Sequence, residues 1–375
     1  MRIFVVCAWY EVGMRHYSFT VLKNLKENLP AEYSIKVLLV LRNDVENYPE
    51  LAQLEGMDIE YVVIKNALLN IASKVFAGIF DRFLLRKVRK YGSDVLYILF
   101  EGLYFKEIDL YKKKTKVIYT IHDLTPHEKN KQSFKDRWLS KQENKRGEDL
   151  MRESDYLVTN SYFQYLKMKD IGKDNIFYAN MPTLINPNIA NGGVIPPELK
   201  TEEYILFFGR IDKYKGLDIL IKTHLESKVN IPLVIAGSGN FWFEVPESPN
   251  IILINRYIKD EELKYLFENA RAAVMPYTAI TQTSLISIPF YFKCPVILSN
   301  IKEFEEVSEK SKSPACDFSN VEDYRRNVSV VAEDETSRSS IIEGQTLYYL
   351  DNYDDKKFSE KMHGVFDSIK ARWFR

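Results

Sequence analysis

Phe207-Phe208-Gly209-Arg210-Ile211-Asp212-Lys213-Tyr214-Lys215-Gly216-Leu217-Asp218 is the stretch on which the reading of this chain turns. The apolar run Tyr204 to Phe208 predicts a strand, Gly209 a turn, and Leu217 the start of a helical pattern. Arg210 and Lys215 therefore bracket a strand-to-helix turn. Arginine offers a planar fork of donors and lysine a compact ammonium. The unpaired N–H groups of a helix start add partial positive charge, so the guest this turn suits is a phosphate or diphosphate. Either cation alone reads as a basic surface turn; the two together point to an anion site.

Composition confines any such site to a local feature. Lys plus Arg and Asp plus Glu both total 52, so no global charge recruits nucleic acid. At 375 residues, 46% of them hydrophobic, the chain suggests two domains that each bury a core. Cys7, Cys294 and Cys316 have neither metal-ligand spacing nor a disulfide pattern, which fits a reducing compartment. The first apolar run is short and meets Glu11 with no small-residue cleavage site, so it reads as a buried strand and not as a leader.

Strands are expected at Ile3 to Ala8, Ile35 to Leu41, Ile59 to Ile64, Val95 to Leu99, Val117 to Ile121, Tyr156 to Asn160 and Ile176 to Tyr178. The second half repeats the plan at Tyr204 to Phe208, Leu233 to Ala236, Ile251 to Ile254, Ala272 to Met275 and Pro295 to Leu298. Continuous apolar strands separated by helical patterns are what a parallel sheet covered on both faces requires. The expected division is a domain over 1–185, an Asn/Pro/Gly-rich linker over 186–200, a second domain over 201–352, and a last helix over 353–375 packing back on the first. Ligands of such sheets sit at the carboxyl ends of the strands.

The spacing Gly209-Arg210 with Lys215-Gly216-Leu217-Asp218 resembles the G-R-(x)4-K-G-L-D segment of retaining nucleotide-sugar glycosyltransferases of family four. The resemblance covers most of the chain and is strongest from Tyr204 to Glu306. It implies the GT-B fold, two Rossmann-like doubly wound α/β domains facing a central cleft. Leu233-Val-Ile-Ala-Gly-Ser-Gly239 is similar to the family's strand ending in A-G-x-G, with Gly237 and Gly239 letting the backbone approach a ligand. Asn255 to Leu263 resembles the base-holding segment, where main-chain groups of Tyr257 and Ile258 would meet the base; Asp260 reads as an N-cap. Met275 to Ile297 resembles the variant P-Y-x-x-A-T-Q-S-G, so that Thr281, Gln282, Thr283 and Ser284 would open a helix facing a diphosphate.

Departures stand in the same segment. Where many members carry two glutamates, this chain has Ile280 and Ile288; glycine is usual where Ser284 and Lys293 stand. Glu306, after the P-V-I strand, would substitute in part as a donor-binding carboxylate, although with Glu303 and Glu305 it also reads as a solvated helix face.

In the first half, Gly13-Met-Arg-His16 follows the first strand, where the family has a glycine loop; Arg15 and His16 would touch phosphate or hydroxyls, or simply start a surface helix. Tyr119 to His127 is similar to the family strand ending in H-D-x-x-P-H. This implies that His122 contacts the transferred sugar and that Asp123 and His127 serve the acceptor side. No Cys or further His completes a metal set there, and none is expected. Ser161 reads as a helix cap. Ser73 to Lys90 is basic and amphipathic, either a membrane-surface helix or one packed on the sheet. Asp351 to Asp355 reads as a helix start.

The implied activity is retaining transfer of a hexose-type sugar from a nucleoside-diphosphate sugar to a glycan or lipid-linked acceptor in cell-surface polysaccharide synthesis. No cofactor is expected, and the place of action would be the cytoplasm or the inner membrane face. A nucleotide-sugar-binding protein without transfer and a sugar-nucleotide epimerase remain as alternatives.

Overall fold

The computed structural model describes residues 1–65, 77–102, 104–122, 124, 134–280 and 284–373. The chain divides into two compact units, Met1–Pro182 with Asp355–Arg375, and Thr183–Asp354.

The first unit holds a seven-stranded parallel sheet of order β3-β2-β1-β4-β5-β6-β7. The strands are β1 (Arg2–Cys7), β2 (Ser34–Leu41), β3 (Asp58–Val63), β4 (Val95–Phe100), β5 (Lys116–Ile121), β6 (Tyr156–Thr159) and β7 (Ile176–Tyr178). Ile3 to Cys7 are all fully buried, which is why this strand reads as one apolar run and does not alternate. The helix Ala77–Tyr91 sets Leu84, Leu85 and Val88 into the core, with Phe80 and Phe83 against it. Over its described residues, the apolar stripe of the basic segment is thus spent on the sheet. Ile79 is the one large apolar side chain among the helix's described residues that is exposed. The last helix, Asp355–Trp373, packs on the helix Val12–Asn28, with Ser359 Oγ donating to Asn24 Oδ1 at 3.1 Å.

The second unit holds a six-stranded parallel sheet of order β10-β9-β8-β11-β12-β13. Its strands are β8 (Tyr204–Phe208), β9 (Leu233–Ala236), β10 (Ile251–Ile254), β11 (Ala270–Met275), β12 (Val296–Ser299) and β13 (Ala315–Cys316). Numbered within the unit, this is the 3-2-1-4-5-6 order of a doubly wound sheet, whose direction of winding reverses between β8 and β11. Loops leaving the carboxyl ends of those two strands therefore diverge around a crevice, and Arg210, Lys215 and Tyr277 all lie on them.

Three differences from the expected layout have physical causes. The stretch 186–200 is part of the second unit: Asn186 caps a short helix, Pro187–Asn191, and the N–H groups of Gly193 and Val194 donate to the Glu261 carbonyl at 2.8 and 3.0 Å. Between β9 and β10 the chain forms no helix, and Phe241, Trp242 and Phe243 pack edge to face in the connection. β13 is too short to leave a periodic signal. All three cysteines are free and buried, and no helix among the described residues is long and apolar enough to cross a membrane.

Candidate functional site

The crevice at the end of β8 is built by backbone contact. Gly209 N–H donates to the Ala236 carbonyl at 3.0 Å and Ile211 N–H to the Ser238 carbonyl at 3.0 Å, so the turn after β8 runs along the turn after β9. Gly237, at φ 153°, makes this possible: a Cβ there would meet the Gly209 carbonyl oxygen at 1.9 Å. What the two glycines of this motif approach is therefore their own neighbouring loop. A Cβ at Gly239 would likewise meet the Ile211 carbonyl at 2.4 Å. The side of each glycine that a Cβ would occupy is thus taken by the turn after β8.

The cationic turn is clamped from the other side by β11. Asp212 Oδ1 accepts the Lys213 N–H at 2.8 Å and starts a single 3-10 turn over Lys213–Lys215. Thr278 N–H donates to the Tyr214 carbonyl at 2.9 Å. Gly216, at φ 67°, lies so close to the loop after β11 that a Cβ would meet the Pro276 carbonyl at 2.0 Å, and the helix Leu217–Ser227 follows directly.

Lys215 is consequently buried, with 4% of its surface exposed. Its ammonium stands 3.6 Å from the centre of the Tyr277 ring and 4.9 Å from that of Tyr214, and it makes no ion pair with a described residue. Burial, with a smaller push from the Arg210 charge, lowers its pKa to about 7, and Asp212 opposes the shift. Arg210, by contrast, is exposed over 65% of its side chain and meets Asp212 at 3.1 Å. Such a pair in water contributes little and gives way readily to a stronger anion. The two expected cations thus share one turn, one buried and one at its mouth.

After β10, Tyr257 is 68% exposed and Ile258 only 4%. The Ile258 main chain is joined by hydrogen bond to no described residue. Arg256 braces this loop. It pairs with Glu198 (Nε–Oε1 2.7 Å, Nη2–Oε2 2.9 Å) and Glu262 (Nη2–Oε1 2.7 Å, Nη1–Oε2 2.8 Å), and its Nη1 donates to the Tyr257 carbonyl at 3.2 Å. Glu262 also accepts the Lys259 N–H at 2.8 Å. Hydrogen bonds from Arg256 hold both carboxylates below their usual pKa. The helix here is Asp260–Glu268 with Lys259 at its N-cap, so Asp260 is not the cap; it accepts from Asn186 Nδ2 at 2.7 Å.

Other expected residues have different surroundings. Ser284 opens a 3-10 turn, its carbonyl accepting Ser287 Oγ at 2.6 Å, ahead of a five-residue helix. Thr281, Gln282 and Thr283 lie outside the described residues. Ile280 and Ile288 are buried. Glu306 accepts from Tyr348 Oη at 3.1 Å and pairs with Lys310 at 2.8 Å, so its carboxylate is already engaged in helix packing.

In the first unit, His122 ends β5 half-buried, with its Nε2 2.7 Å from the Leu99 carbonyl and its ring edge-on to Tyr17 at 4.9 Å. A carbonyl only accepts, so Nε2 carries the proton. Gln164, in the helix capped by Ser161, donates to the His122 carbonyl at 2.9 Å. Gly13 and His16 lie in the first turns of the helix Val12–Asn28, with His16 exposed. Arg15 is bound bidentately by Glu50 at 2.7 and 2.6 Å and lies over the Tyr48 ring, so its guanidinium already has a carboxylate partner. Asp123 and His127 lie outside the described residues.

Residues 195–347 match the family model for glycosyl transferases group 1. This match lies within the second unit, and the likeness to group 1 glycosyl transferases is that unit's. No curated protein sequence matches the chain. Among solved structures, the chain is similar to HepE of Anabaena, in complex with UDP and glucose, at 12% identity and a TM-score of 0.67. That match covers 98% of this chain and 100% of the other. It is also similar to sucrose-phosphate synthase from Thermosynechococcus elongatus (11%, TM-score 0.69, 99% of each chain). A glycosyltransferase from Rickettsia africae matches at 15% identity and a TM-score of 0.65, over 98% of each chain. The fold is GT-B, two Rossmann-like units, with which the two parallel sheets agree.

Proposed function

We propose that the chain transfers a hexose-type sugar from a nucleoside-diphosphate sugar to a glycan or lipid-linked acceptor, with retention of anomeric configuration. The observation that carries this is Lys215: a lysine buried between two tyrosine rings without an ion pair to any described residue, beside an arginine whose partner is easily displaced. Such a pocket is short of negative charge, and a diphosphate supplies it. Complexes of HepE with UDP-glucose and with UDP support the choice of a nucleotide sugar.

When the anomeric bond breaks, negative charge builds on the leaving phosphate. Arg210 and Lys215 would stabilise it, each donor contributing about 3 to 4 kcal/mol by analogy with oxyanion-hole deletions. This is the role a divalent ion fills elsewhere, and we assign it to the two side chains with no metal required. The leaving phosphate would itself take the acceptor proton on the same face of the sugar. A covalent intermediate at position 280 is disfavoured because isoleucine carries no nucleophile. His122, with its ring oriented by Leu99, would contact the transferred sugar. The pathway we favour is cell-surface polysaccharide synthesis, at the inner face of the membrane.

Buried Ile280 and Ile288 favour one second reading, a protein that binds nucleotide sugars without transferring them. A thermal-shift screen of nucleotide sugars, followed by assay of the stabilising donor with a panel of glycan acceptors, separates the two. Lys215→Ala and Arg210→Ala are expected to lose at least a hundredfold in transfer while remaining folded. Turnover like that of the unaltered protein in both variants rejects the anion site.

A further inference from the structure

Arg256 stands where the loop after β10 leaves the sheet, and its hydrogen bonds to the described residues hold that loop. Two carboxylates grip it bidentately, Glu198 from the stretch before β8 and Glu262 from the helix after the loop. The remaining bond goes to the Tyr257 carbonyl. Glu262 is buried and in turn accepts the Lys259 N–H, so the four residues Arg256 to Lys259 are fastened at the first, second and fourth. The residue left between these fastenings is Ile258, whose main chain bonds to no described residue.

Resting on the donor-site reading above, we propose that Arg256, held by Glu198 and Glu262, is a positioning residue that presents the Ile258 main-chain edge to the nucleoside base of the donor. A bidentate guanidinium fork fixes orientation as well as distance, and an arginine gripped on both sides has little freedom left to lose when the ligand arrives. The base gains from a rigid edge, since binding then spends no free energy on ordering the loop. The diphosphate does not depend on this loop, because Arg210 and Lys215 are placed by β8, β9 and β11.

That separation gives the test. Calorimetric binding of UDP and of inorganic pyrophosphate is measured for the unaltered protein, Arg256→Lys and Glu198→Gln, each with its melting temperature. UDP affinity is expected to fall about tenfold or more in both variants while pyrophosphate affinity stays within twofold, with ADP and GDP as controls for base choice. Equal losses for UDP and pyrophosphate would mean a merely structural role and overturn the inference, as would unchanged UDP binding in both folded variants. Glu198→Gln keeps the test decisive if Arg256→Lys folds poorly, because it leaves the Glu262 pair intact. An unaltered protein that binds pyrophosphate but none of the three nucleotides overturns this inference alone. One that binds neither overturns the donor-site reading beneath it.

Discussion

The free energy of placing a lone ammonium at Lys215 is the residue-scale fact on which the site depends. Its pKa falls from 10.5 to about 7, so at pH 8 the empty site holds mainly the neutral amine. An arriving diphosphate reverses this by favouring the charged form, and binding then takes up a proton. Nucleoside-diphosphate affinity is therefore expected to fall as pH rises from 7 to 9, by up to about tenfold per unit. Calorimetry in two buffers of different ionisation enthalpy at pH 8 reads the proton directly. Lys215→Arg stays charged throughout and should abolish the uptake; equal uptake by both proteins assigns the proton elsewhere. The charge pair itself was legible in sequence because Arg210 and Lys215 lie within one turn. Arg256 with Glu198 was not: 58 residues separate them, and only the fold brings them together.

At the scale of single elements, the loops at the carboxyl ends of β8, β9 and β11 are locked by close backbone approaches. Gly237→Ala should cost about 3 kcal/mol or more, since its Cβ has no space beside the Gly209 carbonyl and the φ is unfavourable for any side chain. Urea unfolding checks this; a loss below 1 kcal/mol would mean the two turns can separate freely. Lys293 presents the reverse case. It is exposed, sits at φ 55° after the helix Ser287–Tyr291, and its N–H donates to Phe290. Left-handed geometry costs a non-glycine residue about 1 to 2 kcal/mol, partly offset by the chain entropy that glycine adds to the unfolded state. Lys293→Gly is thus expected to stabilise by up to about 1 kcal/mol in the same assay. Strand positions were legible from apolar runs, mostly to within one or two residues, because burial leaves most of these strands few polar positions. The cap at Lys259 and the helix-free connection after β9 were not, since each depends on what packs nearby: Glu262 for the first, the aromatic trio for the second.

Over the whole molecule, each unit buries an ionisable group that resists its charge, and the two groups have opposite signs. In the first unit, Glu101 follows β4 fully enclosed, Oε2 has no hydrogen-bond partner, and burial raises its pKa from 4.5 to about 7. The nearby Arg146 guanidinium lowers it and Glu143 raises it, but desolvation prevails. In the second unit, His224 meets Tyr324 Oη at 2.9 Å through Nδ1, its Nε2 has no partner, and burial lowers its pKa from 6.5 to about 4. The carboxyl's folded pKa lies above its unfolded value, so its contribution is greatest below pH 4.5 and is lost as pH rises to about 7. The imidazole's folded pKa lies below its unfolded value, so its contribution is present above pH 6.5 and is lost as pH falls to about 4. Each shift corresponds to about 3 kcal/mol. Acidification from pH 7 to pH 4.5 should therefore weaken the second unit through His224 while strengthening the first through Glu101. Scanning calorimetry across that range is expected to move two unfolding transitions in opposite directions. Glu101→Gln should flatten the pH dependence of one and His224→Gln that of the other; a single variant that flattens both would mean the units unfold as one.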